Sequence, residues 1–345
     1  MGCGASKSDV SPGGASAGPG STAKQAQTSG VTKQVPGPSL PTDLSPEILE
    51  LDVSGSTGLT DLVNVGTYSK LTKLDANSCA LTGLPSEIEA CTALEELLVY
   101  ANKIKDVPKE VGKCEALTTL NFFNNQIKKL PVEIGALSNL DEVNVAANKL
   151  MMLTDAHFTA SWASVKILNL YDNNLVRMGS LAPLTGLEEL RINGNNLEDL
   201  PTLSTHSKLK ILEMHKNRFA SAADDYFKAT PALERLRIDG NMLKALPSSL
   251  LACGGLTILW AQENQLESLP AGAWPTKLET LFLQSNESLT SLTPELKEAK
   301  ALKRVNVTGL KLDEASMAIM KDVRMMCLTA DGGMFWTVDG KKETN

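Results

Sequence analysis

Aromatic residues are scarce in this chain, 15 of 345. Its core must therefore be aliphatic. No uninterrupted apolar run approaches the length needed to cross a bilayer, which excludes a transmembrane helix. Positive charge is not in excess either. The formal net charge is −7, which argues against nucleic acid as the main partner, since that partner needs a basic face. The six cysteines, Cys3, Cys79, Cys91, Cys114, Cys253 and Cys327, contain no C-x-x-C pair, and His157, His206 and His215 lack H-x-x-x-H spacing. No metal site is expected from such patterns. The Gly-rich stretch Gly13–Gly20 lacks the G-K-[ST] ending of a phosphate loop, and no strand pattern precedes it. No nucleophile–base pair is recognisable. These absences predict no cofactor, no small-molecule substrate and no catalysis. Wide cysteine spacing and the absence of an apolar leader segment predict a reducing compartment with free thiols, and argue against a receptor ectodomain.

What the chain has is leucine, 52 residues or about one in seven. That much apolar material excludes wholesale disorder. Length alone suggests two or three domains. A single dominant aliphatic type suggests instead one short unit repeated many times.

From about residue 44 the chain divides into units of roughly 23 residues with the form L-x-x-L-x-L-x-x-N-x-L-x-x-L, often followed by Pro. Clear examples are Leu94–Leu97–Val99–Asn102–Ile104–Val107–Pro108 and Leu117–Leu120–Phe122–Asn125–Ile127–Leu130–Pro131. Successive units begin at Ile48, Leu71, Leu94, Leu117, Leu140, Val165, Leu187, Leu209, Leu233, Leu256, Leu278 and Leu302. On these residues the chain resembles the leucine-rich repeat family. Leu130-Pro131-Val132-Glu133-Ile134-Gly135-Ala136-Leu137 is similar to the repeats of Ras-group intracellular members, although the units around Leu209 and Leu233 drop part of that pattern. The resemblance implies an α/β solenoid, a horseshoe of about 12 repeats. It would have a concave parallel β-sheet and an irregular, 3₁₀ or helical convex side.

Each position has a physical role. The apolar residues of L-x-L point inward from a short strand and the x residues point out. The Asn side chain satisfies backbone groups opened by the following turn. Stacking would align Asn102, Asn125, Asn148, Asn173, Asn195, Asn217, Asn241, Asn264 and Asn286, with Ser56 and Cys79 in that place in the first two units. Cys91, Cys114 and Cys253 share one phase and read as small core fillers.

The predicted organisation is a tether over residues 1–42, a repeat domain over 43–312 and a cap over 313–345. Repeats bury their core only between neighbours, so the ends need covers. Pro41 to Glu50 is expected to close the start. At the end, Met317, Met320, Val323 and Cys327 recur at helical spacing over Asp313 to Cys327. Leu328 to Val338 reads as a hairpin around Asp331-Gly332-Gly333, the alternative being a docking tail of Met334, Phe335 and Trp336.

Outward-facing positions of the concave sheet carry Tyr100, Phe123, Tyr171, Trp260 and Phe282, a third of all the aromatics in the chain. Exposed rings on one face are the usual anchors of a protein interface. Between them lie Arg191, His215 and Arg237, with Lys216, Glu213, Asp239 and Glu263 nearby. Mixed charge of this kind fixes register and rejects wrong partners. These eight residues, Tyr100, Phe123, Tyr171, Arg191, His215, Arg237, Trp260 and Phe282, form the candidate partner-binding set.

The first 42 residues contain 25 Gly, Ser, Pro or Ala and no aromatic, the composition of a flexible tether. Met1-Gly2-Cys3-Gly4-Ala5-Ser6 fits M-G-x-x-x-[ST], which makes Gly2 a myristoylation site and Cys3 a neighbouring palmitoylation site. One acyl chain binds a membrane only marginally and two make the attachment stable. The expected function is a non-catalytic scaffold on the cytoplasmic face of a membrane, the plasma membrane foremost, with part of the population in the cytoplasm. It would bind signalling proteins on its concave face. The Ras-group resemblance implies small-GTPase or kinase signalling. The alternative is a regulatory subunit of a phosphatase or cyclase.

Overall fold

In a computed structural model the structure describes residues 30–204 and 206–344. They form one continuous 15-stranded sheet whose strand order follows the chain order. The first strand, β1, is Val31–Thr32. The repeats then supply β2 Glu50–Asp52, β3 Lys73–Asp75, β4 Glu96–Leu98, β5 Thr119–Asn121, β6 Glu142–Asn144 and β7 Ile167–Asn169. They continue with β8 Glu189–Arg191, β9 Ile211–Glu213, β10 Arg235–Arg237, β11 Ile258–Trp260, β12 Thr280–Phe282 and β13 Arg304–Asn306. All of these pair in parallel with their neighbours, and equivalent positions of successive units stand in register, as in Leu97↔Leu120 and Arg237↔Trp260. Every unit's first residue, from Ile48 to Leu302, is buried.

The asparagine ladder runs unbroken from Asn102 to Asn286, and each rung joins repeats. Asn148 Nδ2 donates to Val145 O of its own unit at 3.1 Å and to Phe122 O of the preceding one at 2.9 Å, while its Oδ1 accepts from Ile127 N at 2.9 Å. In the first units Ser56 Oγ accepts from Val35 N, and the Cys79 thiol donates to Val53 O. One residue before each Asn place, the backbone is left-handed in all twelve units. The residues there include Ala101, Asn124, Lys216 and Glu263, at φ 53–55°. Non-glycine residues adopt that conformation at a cost, offset here by bonds to the next repeat such as Lys216 N to Asp239 O at 2.8 Å.

On the convex side, short 3₁₀ turns follow the Pro positions: Ser86–Ala90, Lys109–Lys113, Val132–Ala136 and Ser248–Ala252. Proline presets the φ needed just before such a turn. Units of 22 residues, those beginning at Val165, Leu187 and Leu256, contain no 3₁₀ turn among their described residues. Gly112 in this layer leaves no room for a side chain, because a Cβ would meet Glu133 O of the next turn at 2.6 Å. Cys91, Cys114 and Cys253 are fully buried under these turns, with thiols donating to carbonyls of the preceding repeat and burial pushing their pKa values up to about 11, 12 and 11. They are core fillers.

Both ends depart from the sequence reading. Residues 30–42, assigned to the tether, join the solenoid instead. β1 pairs with β2, Val35 and Leu40 are buried, and the Tyr68 hydroxyl donates to Pro41 O. An open edge strand needs cover, and the apolar side chains of Val31, Val35 and Leu40 supply it, too few to register against so much Gly and Pro. At the other end α1, Glu314–Thr329, starts from Asp313, whose carboxylate accepts from Ser316 N at 2.7 Å. Met320, Val323 and Cys327 are buried while Met317 is exposed, so Met317 does not cover the core. Asp331-Gly332-Gly333 is not a hairpin tip. It links α1 to β14, Met334–Trp336, which adds in parallel to β13. The hairpin lies one strand later, with β15, Lys342–Thr344, antiparallel to β14 and Gly340 at φ 83° in the turn. Strand β14 thus adds a thirteenth rung to the twelve repeat strands β2 to β13, and Phe335 fills the inward place a repeat leucine would take.

Candidate functional site

The sheet brings the eight candidate residues onto one face in two clusters, through register alone. Toward the amino-terminal side, Phe123 and Tyr171 lie two repeats apart, yet their ring centroids are 6.1 Å from each other. The residue between them in that column is Ala146, fully buried and small enough to let the rings close above it. Tyr100 lies one strand further out, half-buried.

The second cluster spans β8 to β12. Arg191 forms an ion pair with Glu189 at 2.7 Å and donates to Asn169 Oδ1 at 3.1 Å. Arg237 pairs with Asp239 at 3.3 Å and lies over the Trp260 ring, 4.2 Å from its centroid. Trp260 and Phe282 are stacked, 5.7 Å apart and 10° from parallel. Trp336 then packs edge-on to Phe282 at 5.8 Å, reaching across Asn306. The sequence reading placed Trp336 in a capping hairpin, with a docking tail as the alternative, because nothing in its local pattern marks a repeat strand.

His215 differs from the rest. It is 6% exposed and belongs to the floor of the face, with little surface for a partner to touch. Burial, with Arg237 and Lys216 nearby, holds its imidazole down at about 4, opposed only by Asp172. Burial also pushes the Asp239 carboxyl up, against the pull of Arg237. The sign for His215 follows from linkage. An unfolded histidine takes a proton near pH 6.5, which the folded one refuses until about pH 4, so its contribution to stability declines across that window as pH falls. His206, also buried with a lowered pKa, acts in the same direction. His215→Gln is therefore expected to flatten the decline in urea midpoint between pH 6.5 and 4 without removing it. An unchanged slope would mean that His215 is accessible to protons in the fold.

Seven buried side-chain polar atoms among the described residues lack a hydrogen-bond partner, and five of them lie on this face: Asn193 Oδ1, His215 Nδ1, Trp260 Nε1, Gln262 Oε1 and Gln284 Oε1. Each unpaired buried group costs about 1–3 kcal/mol. Uncompensated polarity gathered on β8 to β12 identifies the part of the sheet least satisfied by the chain itself. Asn193, Gln262 and Gln284 fall by repeat spacing in the same outward column as Tyr100 and Phe123, but nothing in the sequence marks them as unpaired. Gly2 and Cys3 lie outside the described residues.

Comparison with known proteins agrees with this architecture. Residues 138–197 match a family model described as Leucine rich repeat. A rat (Rattus norvegicus) PH domain leucine-rich repeat protein phosphatase 1 is 31% identical over 170 residues, 47% of this chain but 10% of that protein. The chain thus spans about a tenth of the curated relatives it matches there. Among solved structures, the leucine-rich repeat domain of APL1B aligns with a TM-score of 0.66 at 20% identity, covering 79% of this chain and 78% of that one. The protein LIC12759 of Leptospira interrogans aligns with a TM-score of 0.52 at 23% identity, covering 82% and 83%. Phosphatase relative and solved structures alike meet this chain through its repeats, the same units that build its sheet and asparagine ladder, and the chain folds as a leucine-rich repeat solenoid.

Proposed function

We propose that the chain is a non-catalytic adaptor that binds partner proteins on its concave face and is held at the cytoplasmic side of a membrane by acyl chains on Gly2 and Cys3. Leucine-rich repeat folds are protein-interaction scaffolds, and a rigid stacked sheet presents side chains without ordering cost at the moment of binding. The observation that carries the reading is the coincidence, on one strip, of ring anchors and unpaired buried polar atoms. Anchors of this kind, surrounded by polar groups, are what interface hot spots consist of. The membrane half rests on the M-G-x-x-x-[ST] start and the adjacent Cys3. Small-GTPase or kinase signalling follows from the Ras-group likeness of the L-P-x-x-I-G-x-L units alone. Regulation of a phosphatase is the second reading, favoured by the identity shared with the repeat segment of a phosphatase-named protein.

One experiment tests both halves: proximity labelling in cells with wild type, Gly2→Ala, Tyr100→Ala with Phe123→Ala, and Trp260→Ala with Phe282→Ala. Gly2→Ala is expected to move the protein from the membrane fraction to the soluble one and to change its labelled neighbours. At least one ring pair should lose a partner while the melting temperature holds. Wild type found entirely soluble sinks the membrane half, and an unchanged partner list in both ring variants sinks the concave site.

A further inference from the structure

Arg237, Trp260, Phe282, Trp336 and Lys342 form one continuous row on the carboxy-terminal third of the concave face. The Arg237 guanidinium covers Trp260, Trp260 stacks on Phe282, Phe282 meets Trp336, and Lys342 Nζ lies 5.3 Å from the Trp336 centroid. Each ring is flanked on both sides by another member of the row. What remains for a partner is ring edge, and the edge carries the positive end of an aromatic quadrupole.

Cations stand beside these edges. In the adjoining row the register runs Arg235, Ile258, Thr280, Arg304. Arg235 is exposed, and Arg304 is steadied by its Nε donating to Thr280 Oγ1 at 3.0 Å. At strand spacing the two arginines stand about 14 Å apart, with the Trp260–Phe282 pair between them. No ion pair with a carboxylate involves Arg235, Arg304 or Lys342 among the described residues. Most carboxylates nearby are already engaged: Asp239 by Arg237, Glu279 by Lys303 at 2.9 Å, and Glu343 by Arg324. Glu234 and Glu263 lie exposed on the flanking rows. The opposite end of the same face has the other sign. There β2 to β6 present Glu50, Asp52, Asp75, Glu96 and Glu142 against a single cation, Lys73.

We infer that the strip of ring edges between Arg235 and Arg304 binds an extended acidic segment of a partner protein, with carboxylates four residues apart seated on the two arginines. Four extended residues span about 13 Å, matching the arginine separation. The acidic amino-terminal half repels such a segment and confines it to the carboxy-terminal end, so charge supplies direction as well as attraction. Single-stranded nucleic acid is the other anionic polymer to weigh. It binds by stacking bases on free ring faces, and rings flanked on both sides do not offer them. This inference rests on the concave-face reading and names the chemical class of its partner.

The test is fluorescence anisotropy with the full chain and three probes: a labelled Gly-Ser peptide carrying Glu at every fourth position, the same peptide with Gln, and an oligouridine of similar length. The Glu peptide is expected to bind at least about tenfold more tightly than the Gln peptide. Arg235→Gln with Arg304→Gln should erase that difference. Lys109→Gln with Lys113→Gln removes the same charge from the convex side and should leave it. Equal binding of the Glu and Gln peptides, no binding of either, equal losses in the two charge variants, or preference for oligouridine each overturns the inference. If the peptides fail while proximity labelling still depends on Trp260 and Phe282, the concave interface stands and only the acidic class falls.

Discussion

Asn148→Ala is expected to destabilise the chain by about 2–5 kcal/mol, although it removes only one small side chain. The reason lies in how ladder bonds are shared. Phe122 O accepts from both Asn125 and Asn148, and Val145 O accepts from both Asn148 and Asn173. Losing Asn148 leaves each carbonyl with one donor, a moderate loss. Ile127 N, in contrast, has Asn148 Oδ1 as its acceptor, and that buried N–H is orphaned. Asn148 also sits mid-array, where a weakened interface divides the stack into two halves. Nearest-neighbour coupling then predicts that urea unfolding separates into two transitions. Asn174→Ala, at an exposed position beside the ladder, is the control and should change little. A single unshifted transition in Asn148→Ala would show that strand pairing alone holds repeats together.

Gly333→Ala is expected to have an effect of roughly 3 kcal/mol or more, concentrated at the carboxy-terminal end. A methyl there would overlap the Cys327 carbonyl oxygen and approach Cys327 C at 2.8 Å and Ala330 O at 2.9 Å, all backbone atoms of the turn that ends α1. None of them is the flexible end of a side chain, so the α1–β14 connection itself must shift. That shift pulls on β14, which carries Phe335 into the core and Trp336 onto the concave face. Once β14 detaches, β13 becomes a bare edge open to pairing with other copies. Hydrogen exchange is expected to quicken at Val307 N and Gly309 N, which bond to Trp336 O and Val338 O, and light scattering to rise on warming. Gly254→Ala, where a Cβ meets nothing within 4 Å, should be neutral. Unchanged exchange at Val307 in Gly333→Ala would show that the cap tolerates the overlap.

Periodicity exposed most of the architecture because the repeat makes each local choice serve one purpose. A leucine at the first, fourth or sixth place is buried in every unit by the same neighbours, so a count along the chain amounts to a count of strands. Asn102 to Asn286 were legible for the same reason, as were the fillers Cys91, Cys114 and Cys253. Tyr100, Phe123, Tyr171, Trp260 and Phe282 could be placed on one face because strand side chains alternate. The ends were less legible, since a cap occurs once and has no period. Val31, Val35 and Leu40 were hidden in a Gly- and Pro-rich stretch, and Met334–Trp336 showed no repeat pattern before or after it.

The sequence by itself determined the solenoid, its twelve repeats, the phase of inward and outward positions, and the ladder residue of each unit. Those features depend on local order and on identical neighbours, which a one-dimensional pattern carries in full. Tertiary structure decided what depends on packing across repeats and at the ends. It put His215 in the floor, let Phe123 reach Tyr171 over Ala146, and set the eighth residue of every unit left-handed. It also brought Trp336 from outside the repeats into line with Trp260 and Phe282. That alignment needs α1 to turn the chain back and β14 to pair with β13, a contact between segments with no sequence likeness.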